Sequence, residues 1–165
     1  MTSPSATSRV EQRLAEAGYA VPDVAAPAGA YVPALRHGDL VYTSGQLPFV
    51  DGELSATGKV GDGADHVSPE AAKDCARLCA LNAIAAVKSV IGDLDNIVEV
   101  VKVVGFVASD PAFTAQPGVI NGASELLAEA FGEAGVHARS AVGVATLPLD
   151  TPVEVEIVVA VAAHR

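Results

Sequence analysis

Arg139 heads the run "ARSAVGVATLPLDTPVEVE" (138–156), where small and apolar residues alternate as they do in packed strand. A guanidinium stays charged at any relevant pH, so it needs a carboxylate, a phosphate or water beside it. The nearest acids in sequence are Glu133 and Asp150, so its partner is not local. That partner lies elsewhere in the fold, on another chain or on a ligand. A planar fork suits a ligand carboxylate, and it suits an interchain pair with Glu154 or Glu156 equally well. Those two glutamates share one face of the last strand, opposite its valines. Read as a simple hairpin about "LPLD", the last two segments set Glu154 opposite Ala145. That is six residues, or about 20 Å, from Arg139. Another pairing, or a second chain, is needed to bring the two into one pocket.

Other candidates surround this pair. His137 lies two residues before Arg139, so on a strand both point the same way. It reads as a proton carrier near neutral pH or as a polar residue starting a strand. His37, His66 and His164 fall in a turn, a loop and the terminus. Gly45, in "YTSGQLP", lets the backbone approach a ligand and offer N–H groups to an anion. Tyr31, in "GAY", puts a phenol where the chain enters its first strand. Cys75 and Cys79 share a helix face and read as small core residues, since no further ligands complete a metal site. No phosphate loop, dinucleotide fingerprint, zinc-protease motif or nucleophile elbow is present.

The elements that must position these groups follow from capping and periodicity. A helix is expected over 5–18 with Val10, Leu14 and Ala17 as its stripe, then a Pro/Ala-rich linker over 21–30. Strands near 30–36 and 39–44 flank the turn "HGD", and Asp51-Gly52 marks another turn in a long loop. Ser68 caps a helix with Pro69 at its first position, running to Ile91 and stopping at Gly92. Its buried stripe is expected to be Ala71, Cys75, Leu78, Cys79, Ala86 and Val90, with Asn82 inside it seeking a hydrogen-bond partner. A β-branched strand over 96–109, a helix over 117–133 and strands over 138–146 and 152–162 complete the chain. The order β-β-α-β-α-β-β predicts an α+β fold with both main helices on one face of a single sheet.

The free face of that sheet is unusual. The last strand carries valines on one face, but its other face continues beyond the glutamates as Val158, Ala160 and Ala162. Strand 97–107 is apolar on both faces, with Val98, Val100 and Val104 expected on one and Val101, Val103 and Gly105 on the other. Exposed apolar area of that size marks an interface, so a closed homo-oligomer is expected; cover by the N-terminal segment is the alternative.

The totals bound the rest. A chain of 165 residues, half of them apolar, makes one domain. A net charge of −10 argues against sequence-independent nucleic-acid binding. No membrane-length apolar stretch and no export signal is apparent, so a cytoplasmic location is the expectation.

Together, "YTSGQLP", "LDNIVEVVKVVGFVAS" and "ARSAVGVATLPLDTPVEVE" resemble the RidA family, also called YjgF/UK114, over about 26–162. The resemblance implies a chorismate-mutase-like α+β fold and homotrimers with ligand clefts between subunits for the family-like domain (26–165); the N-terminal helix and linker (1–25) form an extension unusual in the family. The best-understood members hydrolyse small 2-imino acids to 2-keto acids and ammonia, with no cofactor and no metal. On that resemblance Arg139 holds the substrate carboxylate and Glu154 positions the attacking water. Tyr31, Ser44, Gly45 and Asn121 match cleft residues, and His137 and Ala141 flank the arginine. Ala141 stands where the family commonly has a cysteine, Gly143 where it has a glutamate, and His137 where a proline often stands. These departures resemble a divergent subgroup with a wider pocket. A non-catalytic trimer that binds small carboxylates is the alternative. The family's older label, endoribonuclease and translation inhibitor, fits poorly with the charge.

Overall fold

The computed structural model describes residues 7–27 and 29–163. The sheet is five-stranded and mixed. In chain order its strands are β1 (Ala34–His37), β2 (Leu40–Thr43), β5 (Ile97–Ala108), β6 (Ala138–Val144) and β7 (Val153–Val161). In space the order is β1-β2-β7-β5-β6, antiparallel throughout except for the parallel pair β5 and β6. A two-stranded ribbon, β3 (Phe49–Val50) and β4 (Glu53–Leu54), stands apart. Its turn is Asp51-Gly52, both with positive φ, as a tight hairpin demands.

Two helices, α2 (Pro69–Ile91) and α3 (Gln116–Phe131), pack on each other and on one face of the sheet. Ser68 accepts from the Ala71 N–H at the start of α2, and Gly92, with φ 78°, ends it. The burial of α2 is wider than a stripe: every residue from Ala80 to Val87 is buried, while Ala71 and Val90 are exposed. The cause is that α2 meets the sheet, α3 and the β3–β4 ribbon on different sides. Asn82 donates to the Leu47 and Phe49 carbonyls, tying α2 to that ribbon. Cys75 and Cys79 are buried, and burial raises both thiols above their ordinary range.

The expected β6–β7 hairpin does not form, because β5 lies between those strands. A parallel neighbour needs a long crossover, which α3 supplies between β5 and β6. The expected alternation along β5 also shifts. Register breaks at Ile97/Glu99 and Val100/Lys102 each insert an extra residue, so Val100, Val103 and Val107 share the buried face. Val98 is exposed and Val104 faces away from the helices, where Val100 was expected to join them. Gly105 is required here: a Cβ would lie 2.4 Å from Ile120 Cδ1, so its absence lets α3 settle on β5.

The first helix, α1 (Arg9–Glu16), begins later than expected, at a capping box formed by Ser8 and Glu11; the expected earlier start, at residue 5, lies outside the described residues. Val10 and Leu14 are buried, whereas Ala17 is exposed. Asp95 accepts from the Arg9 and Val10 backbone N–H groups, which pull its carboxyl below the ordinary range. Because α1 packs on α3, it does not cover the free face of the sheet. Leu35, Tyr42, Val101 and Val142 are exposed there.

Candidate functional site

The sequence-predicted residues fall into two groups on opposite faces of the sheet. Arg139 pairs with Val103, whose side chain is fully buried under the helices. Its guanidinium therefore lies on the helix side, at the sheet edge formed by β6. There Nη1 donates to Asn121 Oδ1 at 2.8 Å and to Ser124 Oγ at 3.2 Å, and Nη2 donates to the Pro117 carbonyl at 3.3 Å. All three acceptors are neutral groups of α3. Among the described residues no carboxylate lies in ion-pair range of Arg139, and two of its five N–H donors stay uncommitted.

His137 does point the same way as Arg139. Its Nδ1 sits 2.6 Å from the Gly135 carbonyl and its Nε2 sits 2.9 Å from Ser124 Oγ. A carbonyl only accepts, so Nδ1 carries the proton in the neutral ring and Nε2 accepts from the Ser124 hydroxyl. Ser124 thus takes one hydrogen bond from Arg139 and gives one to His137. Sequence reasoning missed Ser124; its signal was the spacing of three residues after Asn121, which puts both on one face of α3. Ala141 lies on the same face of β6, paired with Gly105.

The second group surrounds Glu154. This residue pairs with Phe106, one position out of phase with Val103 and Gly105, so it faces away from the helices. It lines a cavity of about 240 Å³ with Tyr31, Gly45 and Gln46. A Cβ on Gly45 would stand 1.8 Å from Glu154 Oε1, so any side chain there would push the carboxylate out of its present place. Ser44 lies beside this cavity with its hydroxyl committed to the Val32 carbonyl at 2.6 Å, which anchors the segment carrying Tyr31. Burial, and then the neighbouring Glu156, raise the Glu154 carboxyl above the ordinary range. Among the described residues no hydrogen-bond donor reaches it.

Two parts of this wall carried no readable signal. Leu149 lines the cavity while 63 % exposed and with a left-handed φ of 57°. A non-glycine residue held there costs about 1 kcal/mol or more, and such strain gathers at functional sites. Ala25, Ala26 and Pro27 of the linker also line the cavity, although their composition reads only as a connector.

A mixed sheet backed on one face by two helices is the chorismate-mutase-like α+β fold. Among the described residues no helix is long and apolar enough to cross a membrane. The sequence profile of the family described as "YjgF/chorismate_mutase-like, putative endoribonuclease" matches residues 11–161. Protein TCP17 of Trypanosoma cruzi is 43 % identical over 155 residues, covering 93 % of this chain and 95 % of TCP17. The crystal structure of Atu1372 from Agrobacterium tumefaciens, a protein "with unknown function", superposes with a TM-score of 0.85 at 44 % identity, covering 93 % of this chain and 92 % of that one. A Shewanella oneidensis structure named a "putative endoribonuclease" superposes at 0.87 with 35 % identity, covering 92 % and 99 %. Further off, E. coli TdcF "with bound serine" superposes at 0.58 with 26 % identity, covering 86 % and 94 %. The chain belongs to the YjgF/chorismate-mutase-like family.

Proposed function

We propose that the protein is a 2-imino acid deaminase whose site forms between copies of the chain in a homotrimer, with Arg139 from one copy and Glu154 from its neighbour. The observation that carries this reading is the half-buried Arg139, held in place by three neutral acceptors and lacking any carboxylate partner among the described residues. A cation oriented in that way is incomplete without an anion. Glu154 is incomplete in the opposite sense: its carboxylate is desolvated and lacks a donor. The two lie on opposite faces of one sheet, so a single chain cannot join them. The exposed apolar residues Leu35, Tyr42, Val101 and Val142 on the face that carries Glu154 give a second copy a surface to bury. TdcF, a relative holding serine, supports an α-carboxylate as the ligand class.

The chemistry needs little beyond positioning. An iminium carbon is already electrophilic. Arg139 holds the adjacent carboxylate with its free donors, while Asn121 and Ser124 fix the plane of the fork. Glu154, made more basic by burial, takes a proton from the attacking water. Carbinolamine collapse then releases ammonia and the keto acid. Tyr31 and Gly45 shape the opposite wall. The ribonuclease label is disfavoured by a net charge of −10, which offers phosphates no general attraction.

The test generates 2-aminoacrylate or 2-iminobutanoate in situ and follows keto-acid release. Wild type is expected to exceed the spontaneous rate, and Arg139→Ala to lose about a hundredfold or more in kcat/KM, the scale of a charged contact removed from a pocket. Tight binding of 2-ketobutyrate without acceleration would make the protein a carboxylate binder instead. RNA cleavage that survives Arg139→Ala would restore the nuclease reading.

A further inference from the structure

Behind the Glu154 cavity lies a larger one, of about 660 Å³, between the linker, the β3–β4 ribbon and α2. The two meet along Ala25, Ala26 and Phe49, which line both. Val24, Leu78, Leu81 and Asn82 line only the larger cavity. Both Asn82 contacts in this region run from its amide nitrogen to backbone carbonyls, so its N–H groups are spent. The charged side chains at this cavity are Asp23 and Asp51, both exposed carboxylates. A mainly apolar cavity whose lining includes two carboxylates favours a neutral hydrocarbon group and repels a second carboxylate.

A three- or four-carbon imino acid needs no such space. Its carboxylate and reacting carbon occupy the region between Arg139 and Glu154. We propose that the larger cavity receives the substrate's side chain, so that the preferred substrates are 2-imino acids bearing a long or branched apolar tail. The linker residues Ala25 and Ala26, which line both cavities, then set specificity. This inference rests on the deaminase reading for the position of the reacting carbon, and it extends that reading to the substrate class.

The experiment pairs two readouts on the full-length protein. Calorimetry measures binding of the stable products 2-ketobutyrate, 2-ketohexanoate, 2-ketooctanoate and 2-ketoglutarate. An amino acid oxidase generates the matching imines for kcat/KM. Each added methylene buried in the chamber tightens binding about threefold to fourfold. 2-Ketooctanoate is therefore expected to bind at least tenfold more tightly than 2-ketobutyrate, and 2-ketoglutarate more weakly than 2-ketohexanoate. Val24→Phe and Leu78→Phe each fill the larger cavity, and either is expected to lower the long-to-short ratio about tenfold; two variants guard against one failing to fold. Affinity that stays flat or falls with chain length overturns the inference, as does a ratio unmoved in both folded variants. Turnover confined to short imines keeps the deaminase and removes the tail chamber. Tight binding of long keto acids without turnover does the reverse. Failure of every keto acid to bind removes both.

Discussion

The Arg139 edge and the Glu154 cavity hold opposite charges in opposite ways. Arg139 is wired into α3 through three hydrogen bonds, and a fourth links Ser124 onward to His137. Its position is set by regular structure. Glu154 projects from a strand into a cavity walled by loops, beneath a glycine, and no donor among the described residues meets it. Its proton affinity is set by desolvation. A rigid cation is suited to fixing a ligand. A desolvated carboxylate is suited to moving a proton. The division of labour between the two faces is the physical basis of the proposed reaction.

Neutralising the carboxylate strikes at that contrast with the largest expected effect. Glu154→Gln keeps the shape and removes the base, so kcat is expected to fall about a hundredfold or more. In the wild type, the acid limb of kcat against pH is expected above the ordinary glutamate range, because burial raises the group. The same shift has a sign for stability. A carboxyl raised in the folded state opposes folding once ionised. Glu154→Gln is therefore expected to melt higher than wild type at neutral pH, with the gap closing as pH falls through the raised folded-state value and gone below the unfolded-state one. A next, smaller effect comes from Gly45→Ala. Its methyl collides with Glu154 Oε1, and displacement of this flexible carboxylate is expected to cost tens-fold in kcat/KM with little change in stability. The mildest change is Ser124→Ala on the other face. Loss of one neutral contact to the guanidinium predicts a several-fold rise in KM with kcat nearly unchanged, restored in part by Ser124→Thr.

Much of the positioning was legible before any coordinates. The Ser68-Pro69 cap, the Gly92 stop and the Asp51-Gly52 turn are local signals, and each sits where local chemistry puts it. The pairing of β6 was not, since sequence proximity favours a hairpin about "LPLD" and only the α3 crossover places β5 between the two strands. The same non-local fact puts Arg139 and Glu154 on opposite faces, which alternation within one strand cannot reveal. The bulges in β5 broke the period-two pattern for the same reason: they are set by the neighbouring strand. Within the candidate site, charged residues stood out against their apolar surroundings. Ser124 and the linker alanines did not, because a serine on a helix and alanines in a connector look alike whatever they touch.

Coexpression of Arg139→Ala and Glu154→Gln copies in one cell tests the shared site most directly. Each variant alone is expected to be nearly inactive, but each keeps the half the other lacks. Random assembly into a closed ring restores about a quarter of the sites, so deaminase activity near a quarter of wild type is expected. Activity no greater than that of the two variants assayed separately would contradict a site built from two copies.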